Sequence, residues 1–370
     1  MRKVRLKDIG TFYSGLSGKS KKDFSDGNAL LATYRNIFNN PVLNLDIKDT
    51  VVIGNGEKQN EVMYGDILFT GSSETPEEAG MSSVVMSEPK EKIYLNSFCF
   101  GFRLNNIIEI LPSYMGHLLR SEPVRKAISK TAFGVTRFNI NKNFLSEIEI
   151  PLPPLSIQRE IVSVLDSFTT LIDKMKQEVE LRKKQMEYYR WMLFAKYKGE
   201  VQKMENFVLL KAGKTISSSE LSEIPNSKYR FKCYGGNGIR GYASNFIYEG
   251  NYAIIGRQGA LCGSVNWVNE KFYATEHAVI CFPKPNVESR FLYWLFVNSN
   301  LNQYKSQGAQ PGLAVSRLNE LCFSIPPLST QRSIVSTLDS FEQYISKLER
   351  LITLREKQYA YYREKLLTFE

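Results

Sequence analysis

One segment of this sequence occurs twice. PPLSIQREIVSVLDSF begins at residue 153, and PPLSTQRSIVSTLDSF begins 173 residues later, at residue 326. The match continues without a gap through residues 153–193 and 326–366, where 23 of the 41 aligned positions are identical. An internal repeat of this length indicates a duplicated structural unit. The chain is therefore predicted to contain two copies of one arrangement.

Each copy of the repeat predicts a long helix. The prolines forbid helix before them, and Ser156 or Ser329 is expected to cap the helix that follows. Beyond the cap, apolar residues recur every seven positions, which is typical of a coiled-coil seam. The predicted seam residues are Leu165, Ile172, Val179, Met186 and Leu193 in the first copy and Leu338, Ile345, Ile352, Tyr359 and Leu366 in the second.

The two helices are expected to pair with each other. If they run antiparallel, the segments that precede them lie at opposite ends and are related by an approximate two-fold axis. A heptad stretch of about 32 residues spans roughly 48 Å. Arg182 and Arg355 interrupt the seam at the same position in each copy. Such an arginine can fix the register when buried or extend to solvent at the edge, and the sequence leaves both alternatives open.

The segments before the two helices are weaker repeats of each other. MYGDILFT, IYLNSFCFGF and PSYMGHLLR in the first correspond in order to EGNYAIIG, FYATEHAVICF and ESRFLYWLF in the second. Each segment ends in a predicted strand that enters the helix. The predicted organisation is a domain over residues 1–152, a helical segment over 153–202, a second domain over 203–325 and a helical segment over 326–370.

Composition favours a cytoplasmic protein with a polyanionic partner. The net charge is +10, and Lys and Arg that neutralise phosphates release condensed counterions. The surplus is marked in residues 203–325, which hold 13 Lys and Arg against 8 Asp and Glu. No apolar run reaches the roughly 18 residues of a membrane span, and the N-terminus has no signal-peptide core. The five scattered cysteines indicate neither a disulfide framework nor a zinc site.

This order of domains and PPLxxQR helices is similar to that of the DNA-specificity subunit of type I restriction-modification systems. VRLKDIGTFYSGLSGKS, YGDILFT, YGGNGIRGY and IGRQGALCGSV also resemble stretches of that family's target recognition domains. The resemblance implies α/β (α+β) recognition domains, two per chain, separated by two long helices that form an antiparallel coiled coil. It covers nearly the whole chain.

The resemblance also implies a function. Each domain would bind one half of a bipartite, asymmetric site on double-stranded DNA, while the helices set the spacing. The helices would dock two methyltransferase subunits that methylate adenine, and restriction/translocase subunits would join the assembly. The chain itself would hold no catalytic residue, metal or cofactor. Two alternatives are a fused methyltransferase or nuclease and a coiled-coil adaptor between proteins.

Several residues are candidates for reading DNA because their side chains can reach groove edges from loops and strand ends. In the first domain they are Thr33, Tyr34, Arg35, Asn36, Ser72, Ser73, Arg137 and Asn139. In the second they are Asn237, Arg240, Arg257, Gln258, Gln310 and Arg317. The alternative for each one is a solvated loop residue.

Two glycine-rich motifs have better structural explanations than nucleotide binding. Gly15-Leu-Ser-Gly18-Lys19-Ser20 lacks the earlier glycine that a phosphate loop needs, and a charged, turn-prone stretch follows it. Gly236-Asn-Gly238-Ile-Arg-Gly241 matches GxGxxG, but the residues after it indicate strand, turn and strand rather than a helix. This second motif is interpreted as a turn that lets backbone approach DNA.

The remaining titratable candidates are interpreted as structural. His117 is expected on a helix surface, and His277 as a hydrogen-bonded core or loop residue rather than a catalytic base. Asp66 with Glu88 and Lys90 weakly imitates a nuclease triad. Asp66 is instead expected to hold the turn at Tyr64-Gly65, with Glu88 in a loop.

Overall fold

The structure is a computed structural model that describes residues 2–307 and 311–369. Contacts divide the chain into two compact units. Unit 1 comprises Met1–Met175 with Leu351–Glu370, and unit 2 comprises Lys176–Arg350. Each long helix contributes residues to both units, so this division does not correspond to the predicted boundaries, which remain a prediction.

The first half of the chain alternates short strands and short helices. The strands are β1 (Arg2–Arg5), β2 (Gly10–Ser14), β3 (Ala29–Ala32), β4 (Thr50–Val51), β5 (Ile67–Thr70), β6 (Ser72–Ser73), β7 (Ser82–Val84), β8 (Ile93–Leu95), β9 (Cys99–Leu104), β10 (Ala132–Phe133), β11 (Phe138–Ile140) and β12 (Glu149–Leu152). The helices are α1 (Leu6–Ile9), α2 (Tyr34–Asn39), α3 (Pro112–Leu119), α4 (Glu122–Ser129), α5 (Lys142–Ser146) and the long α6 (Leu155–Lys196), with a 3-10 turn at Lys21–Phe24.

The second half repeats this order. Its strands are β13 (Glu200–Lys203), β14 (Val208–Ala212), β15 (Leu221–Ser222), β16 (Phe231–Gly235), β17 (Gly238–Ala243), β18 (Tyr248–Glu249), β19 (Tyr252–Gly256), β20 (Val265–Val268), β21 (Lys271–Ala274), β22 (Ala278–Pro283) and β23 (Cys322–Ile325). Its helices are α7 (Met204–Phe207), α8 (Ser289–Asn298), α9 (Val315–Asn319) and the long α10 (Leu328–Leu367), with 3-10 turns at Ser218–Glu220 and Leu301–Tyr304.

The sheets of the two units have matching topologies. Antiparallel strands follow the order β2-β9-β5-β7 in unit 1 and β14-β22-β19-β20 in unit 2. A parallel pair, β3 with β8 or β16 with β21, belongs to a further sheet of each unit. The strand that enters each long helix pairs with the first strand of its own repeat, β12 with β1 and β23 with β13. The predicted α/β class and internal repeat are confirmed.

The main core of each unit lies between its antiparallel sheet and one apolar helix. In unit 1 the sheet residues Ile67, Phe69, Phe100 and Phe102 pack with α3 and with Ile161, Leu165 and Leu367 of the long helices. In unit 2 the residues Ala253, Ile255, Val279 and Cys281 pack with α8 and with Leu193 and Leu338. Each long helix is therefore part of both cores.

Both long helices begin two residues earlier than a serine cap predicts, at Leu155 and Leu328. Ser156 and Ser329 lie inside the first turn, so the prediction that they cap the helices is wrong. The amide of Gln158 donates to the carbonyl of Pro154 (3.1 Å), and that of Gln331 donates to Pro327 (3.0 Å). Proline is tolerated at the residue before the helix, because that residue contributes only its carbonyl to the helical hydrogen bonds.

A buried glutamine in the first turn fixes α6 to its domain. Gln158 Oε1 accepts from the amide of Leu111 (2.9 Å), and its Nε2 donates to the carbonyls of Glu109 (3.0 Å) and Pro153 (2.9 Å). Leu111 immediately precedes α3. The side chain therefore joins the start of α6 to the start of the core helix.

Gln331 repeats the same three bonds at the start of α10. Its Oε1 accepts from the amide of Glu288 (2.9 Å), and its Nε2 donates to Asn286 (3.1 Å) and Pro326 (2.9 Å). Glu288 immediately precedes α8. The glutamine of PPLxxQR is thus the joint between helix and domain in both repeats.

The long helices pair in an antiparallel coiled coil. In unit 1, Phe168 stacks on Tyr362 with ring centroids 5.4 Å apart, while the earlier residue Leu165 shares a core with the later residue Leu367. In unit 2, Tyr189 packs on Phe341 at 5.3 Å, and Lys183 pairs with Glu349 at 3.0 Å. Residue numbers rise along α6 as they fall along α10 in each unit.

Most of the predicted seam residues are buried. The buried ones are Leu165, Ile172, Val179, Leu193, Leu338, Ile345 and Ile352, and the half-buried ones are Met186, Tyr359 and Leu366. Arg182 extends to Glu178 (2.7 Å) and Gln185 (2.6 Å), with its guanidinium over the ring of Tyr344. Arg355 bonds Gln358 (2.6 Å) in the same manner. Both arginines therefore follow the solvent-edge alternative.

Within the described part of the chain, no helix combines the length and apolar character needed to cross a membrane.

Candidate nucleic-acid interface

Unit 1 contains a cleft of about 670 Å³ formed by four separate loops. The loops follow β3, β5 and β8 and precede β11. The lining residues are Tyr34, Phe38, Ser72, Ser73, Glu74, Glu78, Phe98, Thr136 and Arg137. Four of these residues, Tyr34, Ser72, Ser73 and Arg137, are sequence-predicted candidates, and they come from segments up to about a hundred residues apart.

The α2 wall of the cleft is aromatic. Tyr34 and Phe38, one helical turn apart, stack with ring centroids 5.7 Å apart. Thr33, Arg35 and Asn36 line a separate groove with Asn44 and Asp46. The side chain of Asn36 holds the loop of that groove. Its Nδ2 donates to the backbone carbonyl of Asn44 (2.8 Å), and its Oδ1 accepts from the backbone amide of Asn44 (3.1 Å). The predicted run 33–36 is therefore divided between two surfaces.

The antiparallel pairing of β6 with β11 brings Ser72, Ser73 and Arg137 together in the cleft. Ser72 pairs with Asn139 in the sheet, and Ser72 and Ser73 are both buried. The exposed Arg137 donates from Nε to Ser72 Oγ (3.1 Å), and its guanidinium lies 5.3 Å from the centre of the Phe98 ring. Ser72 thus orients Arg137, whereas the hydroxyl of Ser73 donates to Glu78 (3.1 Å).

Unit 2 contains a smaller cleft of about 360 Å³. Its lining residues are Gly236, Asn237, Gln258, Gly259 and His277. A Cβ on Gly236 would lie 2.6 Å from the carbonyl oxygen of Gln258, so the close approach of these two loops requires glycine there. The GxGxxG motif forms the turn between β16 and β17 together with the first residues of β17. The strands β18 and β19 follow it, separated by Gly250 and Asn251, so the strand–turn–strand prediction for the residues after the motif is confirmed.

Three of the four loop positions of the unit 1 cleft recur in the described lining of the unit 2 cleft. Tyr34 and Asn237 follow the strands β3 and β16, while Ser72 and Gln258 follow β5 and β19. The segment after β5 or β19 also pairs with a segment later in the chain. In unit 1 Ser72 pairs with Asn139 of β11, and in unit 2 Gln258 forms a bridge with Gly312, which precedes α9. The frame is duplicated, whereas the side chains that line it differ.

Phe98 and His277 are cleft residues that the sequence reasoning did not assign to the interface. They occupy equivalent positions, each three residues beyond the strand β8 or β21. The alignment of IYLNSFCFGF with FYATEHAVICF already placed them opposite each other. Glu74 and Glu78 were also missed, and nothing in their local sequence distinguishes them from other loop residues. Thr136 directly precedes the predicted Arg137.

The described lining of the unit 2 cleft does not include the candidates Arg257, Arg240 and Arg317. Arg257 is half-buried, and its backbone is fixed by the carbonyl of His277 (2.9 Å) and the amide of Leu313 (2.8 Å). Arg240 donates to Ser218 Oγ (2.9 Å), and Arg317 is exposed on α9. Gln310 lies outside the described residues.

The Gly15–Ser20 loop is held by an ion pair. Lys19 Nζ contacts Glu57 (2.6 Å) and the carbonyl of Val52 (2.7 Å). The hydrogen bond from Lys19 lowers the pKa of Glu57 to about 2. The lysine is therefore engaged in loop structure.

Asp66 is a buried structural carboxylate. It accepts from Arg103 Nε (2.8 Å), Tyr13 Oη (2.7 Å) and the amide of Met63 (2.9 Å). Burial, followed by the charge of Asp66, raises the pKa of Tyr13. The bond to Met63 holds the turn as predicted, and Glu88 lies in an exposed loop. In the described residues no group of three or more His, Cys, Asp or Glu could hold a metal ion.

His117 is not a surface residue, so that prediction is wrong. Its side chain is 11% exposed, with Nε2 2.7 Å from Asp166 of α6 and Nδ1 3.0 Å from the hydroxyl of Tyr359 of α10. Trp294 makes the equivalent contact in unit 2, donating from Nε1 to Asp339 (2.8 Å). Asp166 and its repeat equivalent Asp339 therefore each bind a side chain of the core helix of their unit, α3 or α8. His277 contacts Glu276 at 3.2 Å.

The family model of the type I restriction modification DNA specificity domain matches residues 1–181 and 198–356. The EcoprrI type I restriction enzyme specificity subunit of Escherichia coli is 37% identical over 233 residues, which cover 60% of this chain and 58% of that protein. A putative type I restriction enzyme specificity subunit of Haemophilus influenzae is 33% identical over 148 residues, which cover 37% of this chain and 38% of that protein. The matches thus span less than two thirds of the length of these relatives.

Solved structures show the same fold. A type I restriction-modification system S subunit from M. genitalium superposes with a TM-score of 0.62 at 15% identity, over 100% of this chain and 96% of that chain. A chain from a structural study of complex assembly and conformational transition of the type I R-M system gives a TM-score of 0.59 at 16% identity, over 99% and 96%. By the family model, which matches most of its length, this chain belongs to the type I restriction modification DNA specificity domain family.

Proposed function

We propose that this chain is the DNA sequence-specificity subunit of a type I restriction-modification complex. The observation that carries the proposal is the pair of clefts built from equivalent loops but lined by different residues. One cleft presents Tyr34, Phe98 and Arg137, and the other presents Asn237, Gln258 and His277. Two different surfaces on one duplicated frame suit two different half-sites, so each unit reads one half of a bipartite, asymmetric DNA site.

The charge of the chain supports double-stranded DNA as the ligand. A net charge of +10 provides the phosphate attraction that gives most of the sequence-independent affinity for DNA. Arg137, Asn237 and Gln258 are exposed and of the residue types that bond base edges in the major groove. Phosphate contacts then position the protein, and the cleft residues discriminate between sequences.

The outer faces of the long helices support docking of two methyltransferase subunits. Leu181 and Tyr188 of α6 are 61% and 58% exposed, and the repeat-equivalent residues Leu354 and Tyr361 of α10 are 47% and 61% exposed. Unit 2 contains the first pair and unit 1 the second. Large apolar residues exposed at equivalent positions suit one protein bound twice. In this proposal the helix pair also sets the spacing between the half-sites.

The catalytic steps belong to the partners in this proposal. The docked methyltransferases methylate adenine, and restriction/translocase subunits join the same assembly. The chain itself acts in the cytoplasm as a recognition subunit without catalysis.

The test is co-expression with the cognate methyltransferase in a host whose methylated adenines are then mapped across the genome. We expect one bipartite motif, with two specific segments separated by a spacer of fixed length and variable sequence. Methylation that lacks such a motif contradicts the proposal.

Two further measurements address the alternatives. If the chain were a fused methyltransferase, the purified chain with S-adenosylmethionine alone would methylate DNA. If it were a protein adaptor, the complex with methyltransferase would show no preference among DNA sequences in a gel-shift assay. We expect neither result.

A further inference from the structure

The loop that follows the buried strand closes in the same way in both units. The amide of Gly80 donates to the carbonyl of Thr70 (3.1 Å), and that of Gly263 donates to Gly256 (2.6 Å). Both closing glycines have positive φ, +66° and +88°. Residues 71–80 are here termed cleft loop 1 and residues 257–263 cleft loop 2. Each carries lining residues of its own cleft.

A side chain from outside cleft loop 1 holds that loop by its backbone. Arg125 of α4 donates from Nη2 to the carbonyls of Glu77 (2.8 Å) and Ala79 (2.7 Å), and from Nη1 to that of Gly80. The guanidinium is half-buried, and desolvation lowers its pKa to about 10. Its planar fork lets one side chain bind three carbonyl groups of the same loop.

Asn302 holds cleft loop 2 at the equivalent carbonyls. Its Nδ2 donates to Ala260 (3.2 Å) and Cys262 (2.6 Å). Ala260 and Cys262 stand three and one residues before the closing glycine, as Glu77 and Ala79 do in cleft loop 1. Asn302 therefore repeats two of the three contacts that Arg125 makes, although an amide replaces the guanidinium.

Arg125 and Asn302 also occupy equivalent places in the chain. Arg125 lies 14 residues after Leu111, whose amide binds the buried Gln158, and Asn302 lies 14 residues after Glu288, whose amide binds the buried Gln331. A contact that recurs at the same place with a different residue type indicates a requirement for the loop's position rather than for one particular side chain. Cleft residues discriminate between bases only when their loop is held in one shape.

We propose that Arg125 and Asn302 are positioning residues for DNA recognition, each of which holds the cleft loop of its own unit in the shape that reads one half-site. The inference rests on the proposed function and adds to it which residues outside the clefts set the specificity of each half.

The test uses the chain in complex with its cognate methyltransferase and DNA fragments that carry single base changes in either half of the site. Arg125→Lys keeps the charge, but one ammonium group cannot bind three carbonyls. Asn302→Asp keeps the shape and removes the donor. We expect each variant to lose about tenfold in discrimination, as the ratio of methylation rates on cognate and changed DNA, in one half-site only. The two variants must affect different halves.

The matched control is Arg5→Lys, the same chemical change in unit 1 at a surface ion pair with Asp8 and Glu147. It should leave discrimination in both halves unchanged. A second measurement is hydrogen exchange of the peptide 71–81, which should become faster in Arg125→Lys and stay unchanged in Asn302→Asp. Arg125→Gln and Asn302→Ala replace any variant that fails to assemble.

The proposal is overturned if both variants weaken discrimination in the same half, if either weakens both halves equally, or if neither has an effect. Failure of the proposed function is distinguishable, because the unmodified complex would then methylate no bipartite site at all.

Discussion

The buried glutamine of each repeat shows how one residue can join two elements. Gln158 and Gln331 are 1% and 0% exposed, and each satisfies one amide and two carbonyls that would otherwise lack partners. Buried backbone groups without partners cost free energy, so the glutamine is required where the chain changes from strand to helix. An apolar residue of the same size could fill the space but could not form these hydrogen bonds.

Replacing Gln158 by leucine should therefore lower the free energy of unfolding by about 3 kcal/mol, since one buried and two part-buried hydrogen bonds to the backbone are lost. The measurement is urea unfolding followed by circular dichroism. Gln202→Leu is the control, because the side-chain amide of Gln202 donates to the exposed carboxylate of Glu200 (2.9 Å), and it should change stability by less than about 0.5 kcal/mol. Equal effects of the two substitutions would refute this role.

We expect Arg257 to contribute directly to the affinity of unit 2 for DNA. Its backbone is fixed on both sides, by His277 and Leu313, so its side chain leaves a rigid loop beside Gln258. Arg257→Ala should weaken binding to the cognate site about tenfold at moderate salt. Arg230→Ala, at an exposed residue of the same unit, should have a much smaller effect. Unchanged affinity in an equilibrium binding assay would exclude Arg257 from the interface.

The long helices are stabilised through their seam rather than through their own propensity. Their apolar residues face a partner helix and, near the domain, the sheet core as well. Leu338 is fully buried in the unit 2 core, whereas Leu366 is only half-buried in unit 1. The contribution of a seam leucine to stability should therefore depend on its place along the helix.

Leu338→Ala should cost about 3 kcal/mol of unfolding free energy, because it removes buried methyl groups and leaves a cavity. Leu366→Ala should cost about 1 kcal/mol or less, since solvent already reaches that side chain. Denaturant unfolding of the two variants provides the comparison. A cost for Leu366→Ala as large as that for Leu338→Ala would show that the end of α10 packs more tightly than its exposure indicates.

At the scale of the whole molecule, duplication gives each unit one copy of four structural features. Each has a cleft, a positioning side chain for its cleft loop, a glutamine joint and an exposed apolar pair on a long helix. This arrangement suits a complex in which two identical partners bind one chain.

The double variant Leu181→Asp with Tyr188→Asp should reduce the bound methyltransferase from two copies to one, because charges replace the apolar contacts of one docking surface. The equivalent variant, Leu354→Asp with Tyr361→Asp, should remove the other copy, and all four substitutions should remove both. Native mass spectrometry of the purified complexes measures the stoichiometry. Retention of two copies in either double variant would place the docking surface elsewhere.

Much of the fold was predictable because local patterns encode it. The seven-residue spacing indicated the helices, the alignment of the two copies indicated the repeat, and the glycines near Gly236 indicated a turn. The Ser caps were predicted wrongly because Pro154 and Pro327 supply the carbonyl that begins each helix. His117 was misplaced because its burial depends on Asp166 and Tyr359, which are distant in sequence.

The sequence by itself determined that the chain contains two similar halves, each ending in a proline-led helix with an apolar seam, because repetition and periodicity can be read along the chain. Only the tertiary structure decided which loops form a cleft. Tyr34, Phe98 and Arg137 meet in space because strands from separate segments pair in one unit. Arg125 and Asn302 were invisible for the same reason, since their partners are backbone carbonyls of a distant loop, and carbonyls are identical at every position of a sequence.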